Sequence, residues 1–421
     1  MTGPWKRIDA GGTAAAFAVA LAASLLFLHL YPASPPKNDA IVYYRIAQNV
    51  AGGKGFTIDG VQPYAGVPPL FCSLLGMWFR IAGDSVSSAA FFQSLAHASS
   101  AGVSYLLFRA MSCAPAFSLV LALAVSLHPL LLTRVPFVLQ EPTLLLFTTS
   151  ALLATVVWLR GRTGRSAGAA GILWAIASLG KAVALFGLPL ALLFRVAACG
   201  EEGRRAAVCQ AILAGALFLA VLAPWTARNY AAFHRIFPIS DQRGGAAYEW
   251  KVSGPATPET AGGGADAADS GRGGGTWDRR IVSLLRNANP LVGGFPVDRI
   301  ARNAIDFTGP ARDWWWARGR YGPGEAREWY WALHDIFHRF LFLVPLVLVF
   351  RTFTGKVPAP RAFVACFCLL YWIEYSLVLG IPRYAVPLYP ALLALLIPSP
   401  GKRFAPTPGP GDAGRLGLEG P

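Results

Sequence analysis

Charged residues are scarce in this chain of 421 amino acids. Lys, Arg, Asp and Glu together make up 14% of it, whereas 54% of the residues are hydrophobic. A soluble domain of average composition has about a quarter of its residues charged. This shortage excludes an ordinary soluble enzyme and predicts a protein that resides in a membrane.

Cysteine is sparse as well, and its positions show no pairing. The six cysteines lie in or beside apolar runs, at positions 72, 113, 199, 209, 366 and 368. A disulfide framework or a zinc site would need paired spacings in loops. The histidines also lack the spacing of metal ligands. The sequence therefore indicates neither a disulfide framework nor a zinc site.

Basic residues exceed acidic ones, 37 against 22, which gives a net charge of +15. A nucleic-acid-binding surface would gather these cations in one patch or stripe. Here they form short clusters between apolar runs, at Lys6–Arg7, Arg160–Arg165, Arg204–Arg205, Arg351–Arg361 and Lys402–Arg403. Such clusters flank membrane spans and favour the cytoplasmic side. They exclude nucleic acid as a partner and predict that both chain ends are cytoplasmic.

Long apolar runs are abundant. About 18–20 apolar residues cross the roughly 30 Å of hydrocarbon in a bilayer. The run Thr13–Tyr31 holds no charge and lacks a small-residue cleavage site, so it is predicted to be a retained signal anchor. The run 167–195 is interrupted by Lys181 and Pro189 and is either one tilted helix or two short ones. Spans are predicted near 13–31, 68–82, 87–108, 115–133, 142–159, 167–195, 206–227, 333–350, 362–380 and 384–398.

Two polar segments separate these spans. The first, 32–67, follows the first span, and the second, 228–332, contains a low-complexity stretch, 253–275, that is predicted to be disordered. The fold class is an all-α membrane protein, a polytopic bundle of about 10–12 transmembrane helices with an amphipathic interfacial helix and a large extracytoplasmic loop. The predicted parts are a transmembrane module (1–227), the large loop (228–332), C-terminal transmembrane helices (333–400) and a disordered tail (401–421).

The first polar segment contains a predicted helix at residues 39–51, which ends at Gly52–Gly53. Val42, Tyr43, Ile46, Ala47 and Val50 share one face of it, and Arg45, Gln48 and Asn49 lie on the other. This pattern predicts an amphipathic helix at the membrane surface. Asp39 stands at its start, where an acid commonly caps free backbone N–H groups.

This segment resembles the first loop of the polytopic GT-C glycosyltransferases, whose branches include protein mannosyltransferases and lipid A sugar transferases. The resemblance rests on an acid after the first span, a Tyr-rich helix and Gly-x-Gly, here Asp39, Tyr43, Tyr44, Asn49, Gly53 and Gly55. Further similar stretches follow in the same order along the chain: Gln140–Pro142, Pro224–Tyr230 with Phe237–Ser240, and Pro382–Pro387. This chain departs from the family in having Asn38–Asp39 instead of paired acids, Lys181 where many relatives have Arg, and no matching motif in 241–330.

The resemblance implies an inverting glycosyltransferase of the bacterial inner or plasma membrane. It would move a sugar from a polyprenyl-phosphate donor to a lipid, glycan or protein acceptor on the extracytoplasmic face. Asp39 would accept the proton of the acceptor. The substrate would be bound by Tyr43, Tyr44, Lys181, Arg228, Arg383 and Tyr384. Arginine offers phosphate a planar donor fork, although Arg228 and Arg383 could instead be interface anchors. No cofactor is implied with certainty, and a divalent metal stays open.

Other interpretations remain beside this one. A transporter or flippase of lipid-linked substrates would show repeated halves, and no internal repeat is visible in the sequence. An inactive scaffold of the same fold is a further alternative. Asp59 and Asp241 are either second acids, acceptor contacts or metal ligands, or ordinary turn residues. Glu141 is either a first-turn acid or a partner of Lys181.

Overall fold

A computed structural model describes residues 10–33, 35–37, 39–132, 134–199, 201–240, 341, 343–352, 357–378 and 387–397. Regular structure in these ranges is helical, and the one extended pairing described is an isolated bridge between Thr57 and Pro63. The predicted all-α fold class is confirmed. In chain order the helices are α1 Ala10–Leu30, α2 Asp39–Ala51, α3 Pro69–Ala82, α4 Val86–Ala110, α5 Pro115–Ser126, α6 Pro129–Leu132, α7 Glu141–Gly161, α8 Gly164–Gly180, a 3-10 helix Ala182–Phe186, α9 Gly187–Ala197, α10 Glu201–Phe233, α11 Leu343–Thr352, α12 Ala359–Val378 and α13 Tyr389–Leu396.

Among the described helices, three are long and apolar enough to cross a membrane: α1, α7 and the part of α10 from Gly203 onward. α1 and α4 run antiparallel, because Gly12 near the start of α1 lies against Tyr105 near the end of α4. α7 ends beside the end of α4, where Arg160 Nη1 donates to Ser112 Oγ at 3.0 Å. The start of α1 and the ends of α4 and α7 therefore share one end of the bundle.

Arginines concentrate at this end. Gln210 of α10 accepts hydrogen bonds from Trp158 Nε1 at 3.0 Å and from Arg195 Nε at 3.1 Å, and it donates to the carbonyl of Arg162 at 2.6 Å. The first turn of α12 is also here, because Arg361 lies near enough to Arg160 for their charges to interact. We call this the basic end, defined by Arg109, Arg160, Arg162, Arg195 and Arg361.

The run 167–195 forms two separate helices, one of the two arrangements that the sequence left open. α8 ends at Gly180, and Lys181 then adopts an extended conformation with φ −163° and ψ 132°. α9 returns to the basic end, where Arg195 contacts Gln210. This double passage returns the chain to the end where α7 finishes, so that α10 also begins at the basic end.

The predicted span 68–82 is wrong as a crossing. It forms the 14-residue helix α3, which stays at one end of the bundle. Both ends of α3 adjoin α2: Phe71 packs on Tyr43 with ring centroids 5.6 Å apart, and Asp84 just beyond α3 accepts from Gln48 Nε2 at 3.0 Å. We call the end of the bundle that carries α2, α3 and residues 52–68 the loop end.

The core has two main parts. The larger cluster surrounds the fully buried Trp158 and Trp174 and joins α4, α7, α8, α12 and α13. The smaller cluster joins α2, α3 and the first loop, with Trp225 of α10 packed against it. Apolar burial therefore fixes the first loop against the bundle, and this loop carries the candidate site.

Candidate functional site

Helix α2 has the bounds that the sequence predicts. Its buried residues are Ala40, Val42, Tyr43, Ile46 and Ala47, which include four of the five residues of the predicted apolar face, and the fifth, Val50, is half-buried. It ends at Gly52 and Gly53, and Gly53 has φ +76°, a conformation that side chains with a Cβ rarely adopt. Burial of one face therefore determines how α2 lies on the bundle.

Asp39 lies in the first turn of α2 and is half-buried. The positive end of the helix dipole stabilises a carboxylate at this position. The structure thus places Asp39 at the loop end. The placement fits both a first-turn acid and a proton acceptor, so the catalytic role stays a prediction.

The two predicted tyrosines of the site have different surroundings. Tyr43 is buried, with its ring nearly perpendicular to that of Phe71. Tyr44 is half-buried, and its hydroxyl donates to the backbone carbonyl of Asp84. Burial, and secondly the charge of Asp84, raise the pKa of Tyr44, so its hydroxyl keeps its proton. Both side chains anchor α2, and their role in substrate binding stays a prediction.

The polar side chains of α2 hold the loop that follows it. Asn49 Nδ2 donates to the carbonyls of Thr57 and Ile58, each at 3.0 Å. Asn49 was predicted to lie on the polar face, and its amide instead turns into the loop to satisfy these two backbone acceptors. Asp59 Oδ1 accepts from the backbone N–H groups of Val61 at 2.9 Å and Gln62 at 2.8 Å. Of its two interpretations, the turn residue fits this geometry.

Arg228 joins the first loop to α10. Its Nη1 donates to the carbonyl of Tyr64 at 2.9 Å and to Asn229 Oδ1 at 3.0 Å, and its Nη2 donates to the carbonyl of Phe56 at 3.0 Å. Its guanidinium carbon lies 4.8 Å from the ring centroid of Trp225. The end of α10 and the first loop are therefore in direct contact, as a shared site for the two polar segments requires.

Lys181 lies near an acid that the sequence analysis missed. The opposite charges of Lys181 and Glu374 of α12 interact, and Glu374 Oε2 is buried without a hydrogen-bond partner. The pair adjoins α3, because Gly180 lies against Leu70. The signal that could have found Glu374 is an acid inside the apolar run 362–380, where a charge is costly.

Several predicted features lie outside the described residues. These are Arg383, Tyr384, Asp241, most of the loop 228–332 with its low-complexity stretch 253–275, and the tail 401–421. The pairing of Arg228 with Arg383 therefore stays a prediction. In the described part of the chain, no group of three or more His, Cys, Asp and Glu side chains could hold a metal ion.

The sequence matches no family model and no curated protein. The structure is similar to the oligosaccharyltransferase AglB of Archaeoglobus fulgidus in complex with an inhibitory peptide and a dolichol-phosphate, with a TM-score of 0.53 and 17% identity over 91% of this chain and 50% of that chain. An Archaeoglobus fulgidus oligosaccharyltransferase tethered with an acceptor peptide gives a TM-score of 0.52 with 16% identity, over 91% of this chain and 49% of that one. ArnT of Cupriavidus metallidurans bound to undecaprenyl phosphate has a TM-score of 0.49 and 16% identity, over 92% of this chain and 60% of that one.

These observations define a class of protein. It has a helical membrane fold, and one end of the bundle carries a helix that begins with an acid and a loop that is bound by an arginine. The chain shares its fold with the oligosaccharyltransferase AglB of Archaeoglobus fulgidus. It spans about half the length of the AglB chain that it matches, with coverage of 50%. At 17% identity the likeness establishes the fold, and the activity is a separate question.

Proposed function

We propose that this protein is a multi-pass membrane glycosyltransferase. It moves a sugar from a polyprenyl-phosphate donor to a lipid, glycan or protein acceptor on the extracytoplasmic face, with inversion at the sugar. The observation that carries the proposal is the placement of the Asp39 helix and the Arg228-bound first loop together at the loop end of a GT-C fold. The fold alone does not imply an activity, so the proposal also depends on the chemistry of these residues.

The orientation follows from the distribution of arginine. Positive residues favour the cytoplasmic side of a membrane, which puts the basic end in the cytoplasm. The loop end, with α2 and the contact of Arg228 with Phe56, is then extracytoplasmic. A polyprenyl-phosphate donor presents its phosphate at headgroup depth, where residues of the loop end can reach it.

In the proposed reaction the acceptor hydroxyl attacks the anomeric carbon and a new C–O bond forms. Asp39 takes the proton of that hydroxyl. The bond between the anomeric carbon and the donor phosphate oxygen breaks, and polyprenyl phosphate leaves with the bonding electrons. Lys181 and Arg383 are the proposed cations for the negative charge that develops on the phosphate. Tyr43, Tyr44 and Tyr384 are proposed contacts of the substrate, with Tyr44 protonated as its raised pKa requires.

The donor is identified first, by native mass spectrometry of the protein purified from its membranes. The sugar carried by any retained polyprenyl phosphate then defines the assay for transfer in nanodiscs. Asp39→Asn should lower turnover by about 10²–10⁴-fold, because the amide cannot take the proton. Retention of polyprenyl phosphate should stay as in the wild type.

Asp59→Asn is the matched control, since an amide oxygen can accept the same turn hydrogen bonds from Val61 and Gln62. It should transfer sugar at the wild-type rate. A folded Asp39→Asn protein with full activity would reduce Asp39 to a first-turn acid. Movement of lipid-linked sugar across vesicles without transfer would favour the flippase alternative.

A further inference from the structure

We propose that Arg228 is a positioning residue, which holds the first loop and the start of the second loop together on one turn of α10. This inference rests on the proposed function for its catalytic consequence. Its structural part stands on hydrogen bonds within the described residues. It differs from the role of phosphate ligand that the sequence suggested for Arg228.

The contacts of Arg228 with the first loop use the fork of the guanidinium. Nη1 and Nη2 reach the carbonyls of Tyr64 and Phe56, which lie 164 and 172 residues earlier in the chain. The same Phe56 carbonyl accepts from the backbone N–H of Tyr64 at 3.0 Å. The backbone bond between Tyr64 and Phe56 already joins the two sides of the loop at its base, and the guanidinium binds to both sides at that point. Lysine keeps the charge but cannot present two donors in this fixed geometry.

The same turn of α10 holds the chain that leads into the second loop. Trp225 Nε1 donates to the carbonyl of Ile239 at 2.6 Å, and the fully buried Asn229 donates through Nδ2 to the carbonyl of Phe237 at 3.1 Å. Trp225, Arg228 and Asn229 are three and four residues apart, the spacing that puts side chains on one helix face. One face of α10 thus forms hydrogen bonds with both the first loop and the start of the second loop.

A path of direct contacts leads from Arg228 to Asp39. Arg228 binds the carbonyl of Phe56, and Asn49 of α2 binds the carbonyl of the next residue, Thr57. Asn49 and Asp39 lie on the same 13-residue helix, whose buried face belongs to the same apolar cluster as Phe56. Release of the loop should therefore weaken the packing of α2, and Asp39 should then be held less precisely.

The hydrogen-bond donors of Arg228 argue against phosphate binding as its main role. A guanidinium has five N–H donors, and three of them are already used inside the protein. Its flank is covered by aromatic rings, with Trp225 at 4.8 Å and Phe233 at 5.5 Å from the guanidinium carbon. These contacts stabilise the cation where it is and hold it away from a mobile ligand.

The experiment compares the wild type with Arg228→Lys, Arg228→Ala and the control Arg165→Ala, which removes an exposed arginine at the basic end. Hydrogen exchange in nanodiscs, read at residues 54–66, should be faster in both Arg228 variants and unchanged in Arg165→Ala. Turnover of Arg228→Lys should fall on the order of 10²-fold, as for a misplaced catalytic group, at a thermal midpoint close to the wild type. The donor KM should change by less than about twofold.

A second variant, Trp225→Phe, keeps an aromatic ring but lacks the N–H that donates to the carbonyl of Ile239, and it should speed exchange at 237–240. Unchanged exchange at 54–66 in both Arg228 variants would overturn the proposal. A raised donor KM with unchanged exchange would overturn it as well, in favour of a phosphate ligand. A wild type without any transferase activity would refute the proposed function alone, because the exchange measurement still decides the positioning role.

Discussion

At the scale of single residues, the pair Lys181 and Glu374 shows how the bundle tolerates charge in an apolar setting. Lys181 stands at the break between α8 and the 3-10 helix, and Glu374 belongs to α12. Each charge alone would be costly within a membrane-spanning segment. Their mutual attraction offsets part of that cost, so removal of either one should be worse than removal of both.

We therefore expect a double-mutant cycle on this pair to show coupling. Lys181→Met and Glu374→Leu should each lower the free energy of unfolding by about 1–3 kcal/mol, because each removes the opposite charge beside the remaining group. The double variant should recover part of that loss, with a coupling of about 0.5–3 kcal/mol. Thermal unfolding in detergent measures all three variants. Additive losses would show that the two charges do not support each other.

At the scale of helices, the contact between α2 and α3 depends on the absence of a side chain at Gly76. A Cβ at this position would lie 2.7 Å from Val50 Cβ and 2.9 Å from the carbonyl of Ala47. The second of these is backbone, which cannot rotate aside. Glycine thus lets the two short helices approach closely at the loop end.

Gly76→Ala should consequently push α2 away from α3 and cost about 1–3 kcal/mol of stability. Gly215→Ala is the matched control, because a Cβ at Gly215 inside α10 meets nothing within 4 Å. That substitution should be neutral or stabilise the helix by about 0.5–1 kcal/mol. Thermal midpoints of the two variants decide the matter, and equal midpoints would mean that α2 and α3 adapt without strain.

The helices also show which features a sequence can predict. The bounds of α2 follow from local signals, an acid at its start and glycines at its end, and the break at Lys181 follows from a charge in an apolar run. Hydropathy could not distinguish α3 from a crossing, because composition does not report the direction in which a helix runs. The partners of Arg228 were equally hidden, since 164 and 172 residues separate them from it. Contacts of that kind arise only from the packed bundle.

At the scale of the whole molecule, the two ends of the bundle differ in charge and in chemistry. The basic end carries arginines of α4, α7, α9 and α12. Two of them, Arg160 and Arg361, lie near enough for their charges to interact. The loop end carries Asp39, the first loop and the start of the second. Between α1 and the second loop the chain passes along α4, α5, α7, α8, α9 and α10 in alternating directions, an even number of passages. Both loops therefore emerge on the side where α1 ends.

This arrangement predicts the accessibility of single cysteines in a background without the native ones, among which Cys209 is exposed. Gln62→Cys in the first loop and Ile236→Cys beyond α10 are exposed positions at the loop end, and Arg165→Cys is exposed at the basic end. In intact cells a membrane-impermeant maleimide should label positions 62 and 236, because positive-inside orientation puts the loop end outside. Position 165 should react only after the membrane is permeabilised. Labelling of 165 in intact cells, with 62 and 236 protected, would invert the orientation but keep the two loops together. Opposite accessibility of 62 and 236 would contradict the shared site itself, since Arg228 binds the first loop at the very turn of α10 from which residue 236 follows.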